Sequence, residues 1–285
     1  MRMRLPVRIA AALLPMLLTA QSVAEAPAPP RSRALSLASA EEVERMADAQ
    51  YRNLLSQAAA ARALAPPDHP IRVRVRAIAD RMIPHAPRYN ERARSWRWEL
   101  NVFGSKQINA FCMPGGKIGI FTGIVDRLQL TDDEIAMVIA HEIAHALQEH
   151  GRERVGQARA AQWVTLGASV FSQILGYGDL GGALASGGSQ MLLLKYGRDD
   201  ELEADAIGME LAARAGFDPR AAVSLWQKMS AQAQRAPPEW LSTHPSHANR
   251  IRQIEARLPK VLPIYAQAVG RPADKPPPPA APRQP

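Results

Sequence analysis

The sequence predicts an α+β fold, mainly helical, with a small antiparallel sheet packed beside one strongly patterned helix. Three observations carry this. Ala and Leu are abundant while aromatic residues make up only 5% of the 285 residues, a balance that favours helix. Residues 96–121 instead alternate and turn in the manner of strands. A capped apolar segment then opens at Thr131.

In chain order, Ala40 to Leu64 has the pattern of one long helix ended by Pro66-Pro67, and Ile71 to Ile83 that of a second, closed by Pro84. From Trp96 to Phe103, the residues Trp96, Trp98, Leu100 and Val102 alternate with Arg97, Glu99 and Asn101, the period of a half-buried strand. Two short apolar runs, Ile108–Met113 and Lys117–Phe121, flank Pro114-Gly115-Gly116 and read as a hairpin. Thr131 with Glu134 forms a capping-box pattern, and Asp132 and Asp133 suit the positive end of the helix dipole. That helix is expected to run to about Glu149, with Gly151 at its stop. An apolar segment from Ala160 to Leu175 leads into the glycine-rich Gly176–Gly188, expected to be a mobile lid between two helices. Further helices are expected from Gln190 to Ala215 and from Arg220 to Gln234, divided by Gly216-Phe217-Asp218-Pro219.

The ends differ in composition from the middle. Arg2, Arg4 and Arg8 precede an apolar run from Ile9 to Ala20, and Ser22-Val23-Ala24 supplies the small residues of a cleavage site. Residues 1–24 are therefore expected to be a signal peptide, too short in its apolar part to span a bilayer, and the protein to be exported, to the periplasm in a Gram-negative cell. Residues 25–39 are expected to be a flexible linker, 40–260 one folded domain (N-terminal helices 40–83, core about 84–260), and 261–285 a Pro-rich tail. Removal of the three leader arginines takes the net charge from +8 to 8 − 3 = +5. The remaining excess is scattered, and Arg72, Arg74 and Arg76 read as a solvated face, so nucleic acid is not an expected partner. The single Cys112 can form no internal disulfide, and its neighbours Phe111 and Met113 favour a buried structural role.

The chemistry concentrates at His141-Glu142-Ile143-Ala144-His145. Spacing of i to i+4 puts both imidazoles on one helical face, close enough to grip one metal ion. Glu142 lies beside them and is placed to act as general base toward a metal-activated water. Zinc needs a third protein ligand and an open position. His150 is a poor candidate, because Gly151-Arg152-Glu153 does not continue a His-based motif. In Asp200-Glu201-Leu202-Glu203-Ala204-Asp205, the carboxylates of Glu201 and Asp205 share a helical face; one can ligate the metal while the other orients a ligand His.

His141–His145, followed by Arg198–Gly208 and Ala215–Pro219, resembles the gluzincin peptidases of the HtpX and CAAX-prenyl-protease family, within it the soluble BepA, LoiP and Oma-like branch. Asn109-Ala110-Phe111, Pro114-Gly115-Gly116 and Thr122-Gly123 resemble the segment before the family's zinc helix. Ser242-Thr243-His244-Pro245-Ser246-His247 and Arg250 resemble a later motif. The resemblance covers roughly Ile71 to Leu258. It implies a zincin-type catalytic domain with one Zn2+ per chain, held by His141, His145 and Glu201, with Asp205 in the surrounding acidic position. It also implies that His244 can reach the metal, as a fourth ligand or as a hydrogen-bond partner of the transition state, with less support for His247. Arg250 is then expected to pair either with a substrate carbonyl or with the carboxylates. The chain departs from the family at Gly197, where Ser is frequent, and in having no predicted spanning helix after its leader.

These features predict a zinc metalloendopeptidase of the cell envelope with Glu142 and His244 at the catalytic centre. Its expected partners are unfolded or misassembled proteins, and envelope assembly machinery. Ile108–Met113 or Ile118–Phe121 can pair with an extended substrate through backbone bonds. The alternative is a chaperone or assembly factor that uses the same cleft without cutting.

Overall fold

The computed structural model describes residues 33–164, 196–235, 238–245 and 249–270. The expected leader, the 176–188 stretch, the helix start at Gln190, His247 and the tail from Arg271 lie outside the described residues.

Ser39 opens α1 (Ala40–Ala60) by accepting a bond from the Glu42 amide at 3.1 Å. Val43, Ala47, Tyr51, Leu54 and Ala58 form its buried stripe at three- and four-residue spacing. The helix stops short of the prolines, because Arg62 turns left-handed at φ 53° and the Ala63 amide returns to the Ala58 carbonyl at 2.7 Å. Helix α2 (Pro70–Met82) starts on a proline, which has no amide to leave unsatisfied.

Strands β1 (Glu99–Phe103), β2 (Ala110–Met113) and β3 (Lys117–Phe121) form a sheet in the order β1-β3-β2. The hairpin is as expected: Gly115 takes φ 80° at the third turn position after Pro114, and the Gly116 amide bonds the Met113 carbonyl at 3.2 Å. The first strand differs from expectation. β1 runs parallel to β3, so the sheet is mixed rather than antiparallel. The 104–109 connection carries β2 one strand beyond β1, and β3 fills the gap.

The sheet has a helix on each face. Phe103, Phe111, Met113 and Phe121 pack toward α1, while Leu100, Val102, Ala110, Cys112, Ile118 and Ile120 join the core with α2 and α4. The Tyr51 hydroxyl pins α1 by donating to the Ile118 carbonyl at 2.8 Å. Cys112 is buried, as its neighbours implied.

Helix α3 (Thr122–Arg127) leads to α4 (Asp132–Leu147), where Thr131 and Glu134 complete both bonds of the capping box. α4 is buried on every side from Glu134 to Leu147, not along one stripe. It ends two residues earlier than expected. Glu149, not a glycine, takes the left-handed turn at φ 60°, and Gly151 lies inside α5 (His150–Val164).

Four more described helices follow: α6 (Arg198–Arg214), α7 (Ala221–Ala233), α8 (Trp240–Thr243) and α9 (Arg250–Ala268). Gly197 opens α6 without a side-chain cap; its amide instead donates to Asp200 Oδ2 at 2.7 Å. Two segments are more ordered than their composition suggested. Residues 33–37 form a 3-10 turn whose carbonyl at Leu35, with that of Ala38, is held by Arg152 at 2.9 and 2.7 Å. α9 passes through Pro259 and Pro263 and buries Val261 and Ala266, beyond the expected domain end at 260. Among the described residues, no helix is long and apolar enough to cross a membrane.

Candidate metal centre

Three separate elements deliver four buried side chains to one point. His141 and His145 project from α4 with their Nε2 atoms 3.1 Å apart. Glu201 enters from α6, its Oε1 at 3.4 Å from His145 Nε2 and its Oε2 at 3.5 Å from His141 Nε2. His244, just beyond α8, places Nδ1 at 3.3 Å from His141 Nε2 and 2.9 Å from Glu201 Oε1. All four residues are at most 4% exposed, and each offers one ligand atom within 4.8 Å of every other.

These spacings fit a metal ion. Bonds of about 2.0–2.1 Å in a tetrahedron put neighbouring donors about 3.3–3.4 Å apart, close to the distances observed. Converging imidazole lone pairs and a carboxylate repel one another unless a cation or shared protons lie between them. The set can therefore hold one divalent ion through three nitrogens and one carboxylate oxygen.

The approach of α6 to α4 depends on Gly208. A Cβ at that position would stand 3.0 Å from the His141 amide nitrogen and 3.1 Å from the Ala140 carbonyl carbon, so only a residue without a side chain fits comfortably. Close contact there lets both Glu201 and Asp205 reach the α4 histidines.

Arg250 organises the acidic side. Its Nε and Nη2 donate to both oxygens of Asp205 at 2.8 Å, and its Nη1 donates to Glu201 Oε2 at 2.6 Å. The guanidinium also lies 3.7 Å from the centroid of the Trp226 ring. Of the two pairings expected for Arg250, the carboxylate one is present. Asp205 Oδ1 stands 3.0 Å from His141 Nδ1, off the line of a straight hydrogen bond.

The charges follow from these neighbours. Burial pulls the His141 imidazole down, but the Asp205 and Glu201 carboxylates outweigh it and raise it to about 9. Burial, with the nearby His141 and His244, holds His145 well below its ordinary value. Burial would raise both carboxyls, yet His244 and the two other histidines hold Glu201 far below the usual range, and Arg250 with His141 lowers Asp205.

Glu142 lies on the open side. Its Oε1 accepts from Trp240 Nε1 at 2.6 Å and stands 3.5 Å from His244 Nε2. It borders a cleft lined by Asn109–Pro114, Gly151, Tyr196, Thr243 and His244, so strand β2 forms one wall of the site. β3 lies between β1 and β2 and has no free edge, which removes Ile118–Phe121 as a substrate-pairing strand.

The structure thus brings together His141, Glu142, His145, Glu201, Asp205, His244 and Arg250. Sequence reasoning gives no role to Tyr196 or Trp240 and treats His150 only as a poor ligand, yet all three are neighbours of the site. His150 Nδ1 lies 2.9 Å from His145 Nδ1, the Tyr196 ring stacks on His145 at 3.9 Å, and Trp240 holds Glu142. Trp240 precedes His244 by one helical turn, a spacing that could have flagged it. Nothing comparable marks Tyr196.

A family model for Peptidase family M48 matches residues 72–258, and the chain belongs to that family. It is 39% identical over 166 residues to the mitochondrial metalloendopeptidase OMA1 of Schizosaccharomyces pombe, covering 58% of this chain and 48% of that protein. It is 35% identical over 186 residues to the human mitochondrial metalloendopeptidase OMA1, covering 59% and 33%. With the β-barrel assembly-enhancing protease of Escherichia coli it shares 31% over 176 residues, covering 59% and 36%. The chain thus spans from a third to about half of each of these relatives.

Proposed function

We propose that the protein is a zinc-dependent endopeptidase, exported to the cell envelope, that cuts extended segments of unfolded or misassembled proteins. The observation that carries this is the buried group of His141, His145, Glu201 and His244, with Glu142 beside it. Three nitrogens and a carboxylate are a donor set typical of zinc. Export rests on the basic and apolar pattern of residues 1–24.

In this reading His141, His145 and Glu201 would hold the ion, with His244 placed to supply a fourth donor before substrate enters. Zinc, when bound, polarises the scissile carbonyl and acidifies the attacking water. Glu142 takes the proton from that water and passes it to the leaving amine. Trp240 aims the Glu142 carboxylate from behind. Asp205 and Arg250 hold His141 and Glu201 in place. His244 gives up its position as substrate enters. The outer edge of β2, which pairs with no other strand among the described residues, receives the substrate backbone, which selects extended chain over side-chain identity.

The test is cleavage of unfolded casein by zinc-loaded protein and by Glu142→Gln. Glu142→Gln should retain zinc and lose cleavage by a factor of at least about 100, the scale of a lost general base. Equal cleavage by both proteins would remove Glu142 from the mechanism. No cleavage by either, with zinc bound, would favour the non-cutting alternative.

A further inference from the structure

We propose that His150, backed by Glu203, is a positioning residue that fixes the proton on Nδ1 of His145 and so turns the Nε2 lone pair of His145 toward the metal. The inference rests on the metallopeptidase reading above and adds to it a residue outside the H-E-x-x-H motif.

The geometry leaves few alternatives. His145 Nδ1 and His150 Nδ1 stand 2.9 Å apart in a buried contact, which needs one proton between them. His150 Nε2 lies 3.2 Å from Glu203 Oε2, and a carboxylate there accepts the Nε2 proton. With its proton on Nε2, a neutral His150 has only a lone pair at Nδ1. The shared proton therefore belongs to His145 Nδ1. That leaves His145 Nε2 unprotonated, facing His141 Nε2 at 3.1 Å and Glu201 Oε1 at 3.4 Å, which is the donor form a metal requires.

The backbone is shaped for this contact. In an unbroken helix a residue five positions after His145 would point about 140° away from it. α4 ends at Leu147, Glu149 turns left-handed, and α5 begins at His150. The break folds the His150 ring back beneath His145, with the ring centroids at 5.0 Å. The stacked Tyr196 ring limits rotation of His145 at 3.9 Å. His150 is 3% exposed, so water does not compete for its Nδ1. His141 has its own carboxylate partner in Asp205; the His150–Glu203 pair gives His145 the counterpart.

The experiment is competition for zinc between a chromophoric chelator and the purified full-length protein, with circular dichroism confirming the fold of each variant. His150→Ala should bind zinc about 10–100-fold more weakly, the usual cost of losing such a partner. His150→Asn, whose carbonyl can accept from His145 Nδ1, should recover most of that loss. Glu203→Gln should show a smaller loss. In zinc-loaded protein labelled at histidine, the His145 Nδ1 proton should be protected from exchange, and His150→Ala should remove that protection. A folded His150→Ala that binds zinc as tightly as the parent, or an Asn variant no better than Ala, overturns the positioning role while leaving the metal site intact. A parent protein that takes up no zinc overturns the metallopeptidase reading itself.

Discussion

Arg250 bridges the two carboxylates that flank the α4 histidines, with both Asp205 oxygens at 2.8 Å and Glu201 Oε2 at 2.6 Å. At 2% exposure, the guanidinium is a buried cation between two buried anions. Its removal leaves their charges uncompensated where water cannot reach. Arg250→Met should therefore destabilise the fold by about 3–5 kcal/mol, as measured by urea unfolding. Arg250→Lys keeps the charge but cannot make the forked contact, and should recover only part of the loss. Near-parental stability of Arg250→Met would mean the network is dispensable.

Gly208 sets how closely α6 approaches α4. A valine there has no room against the His141 amide and should cost about 1–3 kcal/mol of stability. The same substitution moves Glu201 away from the histidines, so zinc affinity should fall with stability. Parental zinc affinity in Gly208→Val would separate the helix contact from the site.

Glu134 ties the start of α4 to α7. Burial raises its carboxyl, but Lys228, the Thr131 amide and Ser224 together bring it below its ordinary 4.5. A carboxyl depressed in the folded state stabilises above the unfolded pKa, and that contribution is lost as the pH falls through the folded pKa. Urea midpoints of the parent should fall more steeply below pH 4.5 than those of Glu134→Gln. Parallel pH profiles would show that Glu134 contributes no pH-dependent stability.

Cys112 lies beneath the site wall in β2, and burial pushes its thiol well above the ordinary range. Native protein should not react with an aromatic disulfide reagent at pH 8, whereas one thiol per chain should titrate in denaturant. Rapid labelling of the native protein would show that the β2 wall opens.

The legible and illegible parts of this protein divide along physical lines. The α4 cap and the i, i+4 histidines are local, so residue spacing reveals them. Spacing alone leaves Glu201 and Asp205 equivalent on one helical face; the family resemblance singles out Glu201, and the structure places its carboxylate beside both histidines. β1 alternates clearly, but alternation does not encode a partner, and its parallel pairing with β3 depends on where the 104–109 connection crosses. Sequence context marks His150 only as a poor metal ligand, because Gly151-Arg152-Glu153 does not continue a His-based motif. Its contact with His145 depends on Glu149 breaking the helix, a left-handed turn at a residue type that rarely makes one. Trp240 meets Glu142 across 98 positions of sequence, a distance no local pattern spans.

If four side chains from three elements hold one zinc ion, its position follows from their geometry. Anomalous diffraction at the zinc edge, from crystals of the zinc-loaded protein, tests it most directly. A single peak about 2.0–2.2 Å from His141 Nε2, His145 Nε2 and a Glu201 oxygen, with His244 Nδ1 facing it, is the predicted result. Saturating zinc that leaves no peak among these atoms, or places it elsewhere, would show that these residues hold no zinc.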